Sequence, residues 1–194
     1  MSPALVKIGA QLGSYSYAVR SHLRQHRKQP DADAIINSSN ANLHLDSGVA
    51  GMIYTVAGPE FEEYCRPFSL LALGAGLITP GFKLPNLWVI DVGSAHNLNN
   101  DKPEKHLQMA LESVLRIAQN NDLRSLAVPA IGIDMFKFPP VLVAYLTAQV
   151  LAKNDALAPR LNWVHICLAD HVLVPLYESG CMQAGLQCKT PELN

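Results

Sequence analysis

Asp33-Ala34-Ile35-Ile36-Asn37-Ser38-Ser39-Asn40, written DAIINSSN, passes directly from an apolar run into short polar side chains. Pro30 stops whatever helix precedes it, and Asp33–Asn37 reads as a buried strand. A polar segment over residues 38–47 follows. Gly48-Val49-Ala50-Gly51 then opens a helix that runs toward Gly58. A helix N-terminus presents free backbone N–H groups and the positive end of the helix dipole. Glycine lets a phosphate come close to that backbone. The Asn40 amide both donates and accepts, which suits a ribose hydroxyl or a positioned water. The same residues also fit an ordinary strand–turn–helix connection capped by Asn and Ser.

Working outward, Leu5–Ile8 reads as a first strand. A helix from Ser14 to about Lys28 carries Tyr15, Val19 and Leu23 on one stripe. Its other face, with Arg20, Arg24, Arg27 and Lys28, reads as solvated, because no aromatic residues interleave with the charges. His22 and His26 have helical spacing for a shared metal, but no third ligand accompanies them. Downstream, residues 87–92 (LWVIDV), 125–129 (SLAVP) and 163–168 (WVHICL) read as buried strands. Pro103 starts a helix with Leu107, Leu111, Val114, Leu115 and Ala118 on its buried face. Pro139 opens another, with apolar positions Leu142, Tyr145, Leu146 and Val150, and a short closing helix begins near Asp170. Residues 189–194 read as a frayed tail.

Helices that alternate with short apolar strands imply an α/β fold, with a mostly parallel sheet covered on both faces. In such sheets ligands bind beyond the carboxyl ends of the strands. Two strand exits therefore matter. One is Asn37–Gly51. The other is Pro129-Ala130-Ile131-Gly132-Ile133-Asp134-Met135-Phe136-Lys137-Phe138-Pro139, which also ends at a helix start. Phe136 and Phe138 can either face a sugar or base or anchor the loop in the core.

A chain of 194 residues with 49% hydrophobic and 16% charged residues buries one substantial core, so residues 1–194 are expected to form one domain. A net charge of -1 gives no field that would draw nucleic acid or an acidic membrane. No apolar run approaches the ~18 residues of a membrane span. Cys65, Cys167, Cys181 and Cys188 contain no CxxC pair, and the N-terminus shows no signal peptide. Both point to reduced thiols in a cytoplasmic protein.

DAIINSSN followed by GVAG resembles the DAIVNAAN…GVDG signature of macro domains. Residues 76–92 (GLITPGFKLPNLWVIDV) are similar to that family's ITPGY-LP-YVIH segment, and residues 125–139 (SLAVPAIGIDMFKFP) to its IAFPAISTGVYGYP segment. The order and spacing agree from about Asp33 to Pro139. The resemblance implies a three-layer α/β/α macro domain with a central mixed, mostly parallel sheet. It implies ADP-ribose or an ADP-ribosylated protein as partner, and no metal or cofactor. Some members of the family hydrolyse ADP-ribose from protein carboxylates or deacetylate O-acetyl-ADP-ribose.

Carried across position by position, Gly48, Val49, Ala50 and Gly51 face the diphosphate, with Asn37 in the same segment. Asn40 contacts the distal ribose and helps place the attacking water. Gly132, Ile133, Asp134, Met135 and Phe136 wrap the other side, with Phe136 against the distal ribose.

The chain departs from the pattern at several of these positions. Ala50 stands where the family has its catalytic Asp, and a methyl group cannot activate water. Asp46, Ser47 and Lys137 stand where glycine is usual, and Gly132-Ile133-Asp134 replaces Ser-Thr-Gly. No counterpart of the adenine-reading Asp is found; Gly13-Ser14-Tyr15-Ser16 occupies its region, and the Asp170-His171 loop is another candidate for that task. Two readings lead, ahead of a third in which the chain is a structural scaffold with no small ligand. One is ADP-ribose binding with hydrolysis of ADP-ribosyl esters through Asn40. The other is a diverged, non-enzymatic module for another nucleotide, an RNA end or a protein partner.

Overall fold

Along the central strands, successive side chains go to opposite faces of one sheet and build two separate apolar layers. A computed structural model describes residues 5–10, 32–39, 48–68, 71–94, 98, 100–133, 136–168, 170–186 and 188–189. The strands are β1 (Leu5–Ala10), β2 (Ala34–Ser39), β3 (Gly76–Pro80), β4 (Trp88–Gly93), β5 (Ser125–Pro129), β6 (Trp163–Leu168) and β7 (Cys188–Lys189). They form a seven-stranded sheet in the order β3-β4-β2-β5-β6-β1-β7. Every pairing is parallel except β3 with β4. The mixed, mostly parallel sheet matches the expectation.

The helices are α1 (Gly48–Ala57), α2 (Pro59–Cys65), α3 (Pro103–Asn120), α4 (Pro140–Leu151), α5 (Asn154–Leu157) and α6 (Val174–Gln183). On one face, Ile36, Ile90, Leu126 and Ile166 from the strands meet α3, α4 and α6 through residues such as Leu107, Leu115, Val143 and Tyr177. On the other, Ile35, Val89, Ala127 and Cys167 meet Ile53, Tyr54 and Ala57 of α1 and Phe61 and Cys65 of α2. These are the two helical layers of the expected three.

The buried stripe of α3 is the one its periodicity predicts, with Ala110 added. For α4 the structure corrects the expectation. Val143, Ala144, Thr147, Ala148, Val150 and Leu151 are buried, while Tyr145 is exposed. The helix is apolar nearly all round, so sequence periodicity could not fix its orientation.

Other elements also differ from the expectation. α1 keeps its expected end, at Ala57 just before Gly58 with its φ of 92, but Pro59 then opens α2, which was not expected. β3 was not expected as a strand, since glycine and proline bracket it in sequence. The closing helix begins at Val174, after a 3-10 turn at His171–Leu173. β2 runs two residues past Asn37 to Ser39.

At the amino ends of the strands, Asp33 joins β2 to β5. Its Oδ2 accepts from the backbone N–H groups of Arg124 at 2.6 Å and Ser125 at 3.0 Å, and its own N–H donates to Ser125 Oγ at 2.9 Å. The expected helix Ser14–Lys28, with His22 and His26, lies outside the described residues. So do Asn40, Asp46, Ser47, Asp134 and Met135.

Candidate functional site

Because β4, β2, β5 and β6 run parallel, their carboxyl ends share one edge of the sheet. β2 lies between β4 and β5, so the exits after Ser39 and Pro129 leave neighbouring strands. The chain enters α1 at Gly48, and Ile53, Tyr54 and Ala57 hold the helix against the sheet. Gly48, Val49, Ala50 and Gly51 form its first turn, which carries no acidic side chain. The free N–H groups of that turn thus meet no carboxylate of their own turn to compete for an anion. Ala50 is buried, with 9% exposure.

The second exit is a tight turn built by backbone hydrogen bonds. Ile131 N–H donates to Pro129 O at 2.8 Å and Phe138 N–H to Gly132 O at 2.9 Å. Gly132 has φ 101, a left-handed conformation that L side chains rarely adopt, and a Cβ there would lie 3.0 Å from Phe138 Cδ2. Lys137 has φ 58, which explains why the resemblance expects a glycine at that position. Ile131, Phe136 and Phe138 all belong to the α3 and α4 core, with Phe136 at 7% exposure and Phe138 at 2%. Ile133 is half-buried and packs on the same core.

Beside the first exit, on the α1 face and on the β4 side of β2, lies a polar group that the motifs did not single out as a unit. Asn37 Nδ2 donates to Asp91 Oδ1 at 2.7 Å and to Ser39 Oγ at 3.1 Å. Ser39 Oγ–H donates to the same Asp91 oxygen at 2.8 Å. Asn37 and Asp91 pair in register on adjacent strands, and both side chains are fully buried. Asn37 Oδ1 and Asp91 Oδ2 have no hydrogen-bond partner among the described residues.

Burial pushes the Asp91 carboxyl up to about 6, against the hydrogen bonds from Ser39 and Asn37, which lower it. Tyr54 of α1 is raised above its ordinary range by burial and then by the Asp91 charge. Burial pushes Cys65 of α2 up to about 12, with Asp91 adding to the shift. Neither group offers Asp91 a positive charge. The sequence signal was available: an aspartate inside the apolar run LWVIDV must find partners or stay neutral.

The fold therefore brings Asn37, Gly48–Gly51, Gly132, Ile133 and Phe136 to one edge of adjacent strands and adds Ser39, Asp91, Tyr54 and Cys65 beneath it. Cys65, Cys167 and Cys181 are buried thiols outside any disulfide. Among the described residues, no three His, Cys, Asp or Glu side chains are grouped to hold a metal, and no helix is long and apolar enough to cross a membrane.

Comparison with known proteins adds an independent measure. A macro domain-containing protein of Ralstonia nicotianae is 31% identical over 153 residues, covering 78% of this chain and 88% of that protein. ADP-ribose glycohydrolase MACROD2 of Mus musculus is 35% identical over 137 residues, 68% of this chain and 29% of that longer protein. The Trypanosoma brucei macrodomain in complex with ADP-ribose superposes with a TM-score of 0.72 at 22% identity, covering 89% of this chain and 68% of that one, and so shares the fold. The family model described as Macro domain matches residues 36–147, from the middle of β2 into α4. This chain belongs to the macro domain family.

Proposed function

We propose that the chain binds ADP-ribose at the shared carboxyl edge of β2 and β5 and hydrolyses ADP-ribosyl esters there. One observation carries the reading. Two glycine-bearing exits leave adjacent parallel strands, and one of them feeds a helix N-terminus free of acidic side chains. The backbone of Gly48–Gly51 takes one side of the diphosphate. Gly132–Phe136 takes the other, with Phe136 toward the distal ribose. Asn40, which follows β2 in sequence, holds that ribose and orients the attacking water. An amide is not a base, so its contribution is orientation rather than proton transfer.

β1 pairs with β6 and β7, which joins both ends of the chain to the sheet that carries the family match. This supports a single domain over residues 1–194. Cys65, Cys167 and Cys181 are buried and form no disulfide among the described residues, which fits a reducing compartment, and this reading places the protein in the cytoplasm.

Isothermal titration with ADP-ribose is the direct test, and absence of heat at millimolar ligand removes the reading. For hydrolysis, Asn40→Ala is expected to slow release of ADP-ribose from a modified protein at least tenfold. An unchanged rate rejects that role. The identity of Ala50 favours a second reading, in which the site binds but does not hydrolyse. Stabilisation in a thermal-shift panel by NAD or a short RNA, and not by ADP-ribose, would select the diverged module.

A further inference from the structure

A valine at position 91 would pack in this strand as Val89 does two residues earlier, with no ionisable group to desolvate. The chain instead places a carboxylate there and directs two donors to a single one of its oxygens. Asn37 and Ser39 are the last two α1-facing side chains of β2, since alternate residues share a face. One acceptor on the neighbouring strand therefore fixes both. Ser94 N–H donates to Ser39 O at 3.1 Å and carries the β2–β4 contact one residue past the end of β4.

We propose that Asp91 is a positioning residue for the ligand edge: by gripping Asn37 and Ser39 together it sets the direction in which β2 leaves the sheet toward the first turn of α1. This inference rests on the reading of that edge as an ADP-ribose site.

The surroundings of Asp91 give the role a signature that packing alone would not. Asn37 and Ser39 from β2 act on it, and its own charge acts on Tyr54 of α1 and Cys65 of α2. Its partner on β3, Leu77, is apolar. None of these is a cation, and its second oxygen has no partner among the described residues. Tyr54, which feels the Asp91 charge, lies about one helical turn from the amides of Gly48–Gly51. An anionic ligand on those amides favours the neutral carboxyl. By linkage, affinity is highest with Asp91 protonated and falls as pH rises through about 6. A unit charge on the order of 10 Å from the diphosphate, at an effective dielectric of about 20, changes affinity roughly tenfold.

The experiment titrates ADP-ribose into full-length wild type, Asp91→Asn and Asp91→Leu from pH 5 to pH 8. Asp91→Asn keeps an acceptor oxygen and loses the ionisation; it is expected to bind at pH 5 within about threefold of wild type and to lack the decline around pH 6. Asp91→Leu leaves Asn37 and Ser39 without an acceptor and is expected to lose at least tenfold in affinity while still unfolding cooperatively. The same pH profile in wild type and Asp91→Asn, or wild-type affinity in Asp91→Leu, overturns the proposal.

A ligand-free readout separates this inference from the reading beneath it. The side-chain NH2 resonances of Asn37 should titrate with a midpoint near 6 in wild type and stay flat in Asp91→Asn. If they titrate while wild type fails to bind ADP-ribose, the ligand assignment falls and the grip stands. If they do not titrate, the grip falls, whatever the ligand.

Discussion

On the α3 and α4 face of the sheet, Leu107, Leu111, Val114 and Leu115 cover Ile36, Ile90, Leu126 and Ile166 in a layer of aliphatic side chains. On the α1 and α2 face, the same strands present Ile35 and Val89 at one end and Asn37, Ser39 and Asp91 at the other. The first face takes its stability from area removed from water, at about 25 cal/mol per Å². The second gives up part of that gain, because a buried carboxylate with one oxygen lacking a partner among the described residues costs free energy. The cost falls at the carboxyl edge, under the helix whose first turn faces the proposed ligand. Packing stabilises the fold on one side, and on the other it is partly exchanged for direction at the exit.

Cutting a large side chain from the aliphatic layer should have the biggest effect. Leu115→Ala is expected to destabilise by about 2–5 kcal/mol in urea unfolding, because the cavity in a close-packed layer collapses only partly. ADP-ribose affinity of the folded fraction should not change. A parallel loss of affinity would break the division between the faces.

Gly132→Ala comes next. Its left-handed backbone and the nearby Phe138 ring predict a loss of about 1–3 kcal/mol. The turn carries backbone proposed to hold the diphosphate, yet it roots in the aliphatic core through Ile131 and Phe138. This variant should therefore lose affinity as well as stability, and calorimetry on the folded protein would show both. Loss of stability alone would move the turn wholly into the structural half of the comparison.

The smallest effect has the opposite sign. Lys137→Gly relieves a positive φ worth about 1–2 kcal/mol and returns part of that as backbone entropy of the unfolded chain. A net gain of about 0.5 kcal/mol in chemical denaturation is expected, and a loss would show that the lysine side chain itself supports the turn.

The aliphatic layer was the legible part of the sequence. Leu107, Leu111, Val114, Leu115 and Ala118 recur with helical period, and β2, β4, β5 and β6 stand out as short apolar runs between turn residues. Tyr145 was misread, because a helix apolar on all sides has no stripe that marks the core. β3 escaped notice as an edge strand in a Gly- and Pro-bounded segment.

At the candidate site, the glycines and Asn37 were visible through their motif. The link between Asn37, Ser39 and Asp91 was not. Asp91 lies 54 positions from Asn37 along the chain, and only the in-register pairing of β2 with β4 brings them together. Spacing along a chain carries no signal for such a meeting. The oddity of a charge inside LWVIDV was the one local trace of it.

Asp33 holds β2 and β5 together at the end of the sheet opposite the proposed ligand. Two strands stapled there keep their alignment whatever residues occupy the segments that leave them at the far end. Insertions, lost glycines or added charges in those segments can then accumulate without sliding one strand against the other. The sheet becomes a fixed mount on which interchangeable fittings are tried. A chain of this design can change what it grips at one rim and keep the same skeleton throughout.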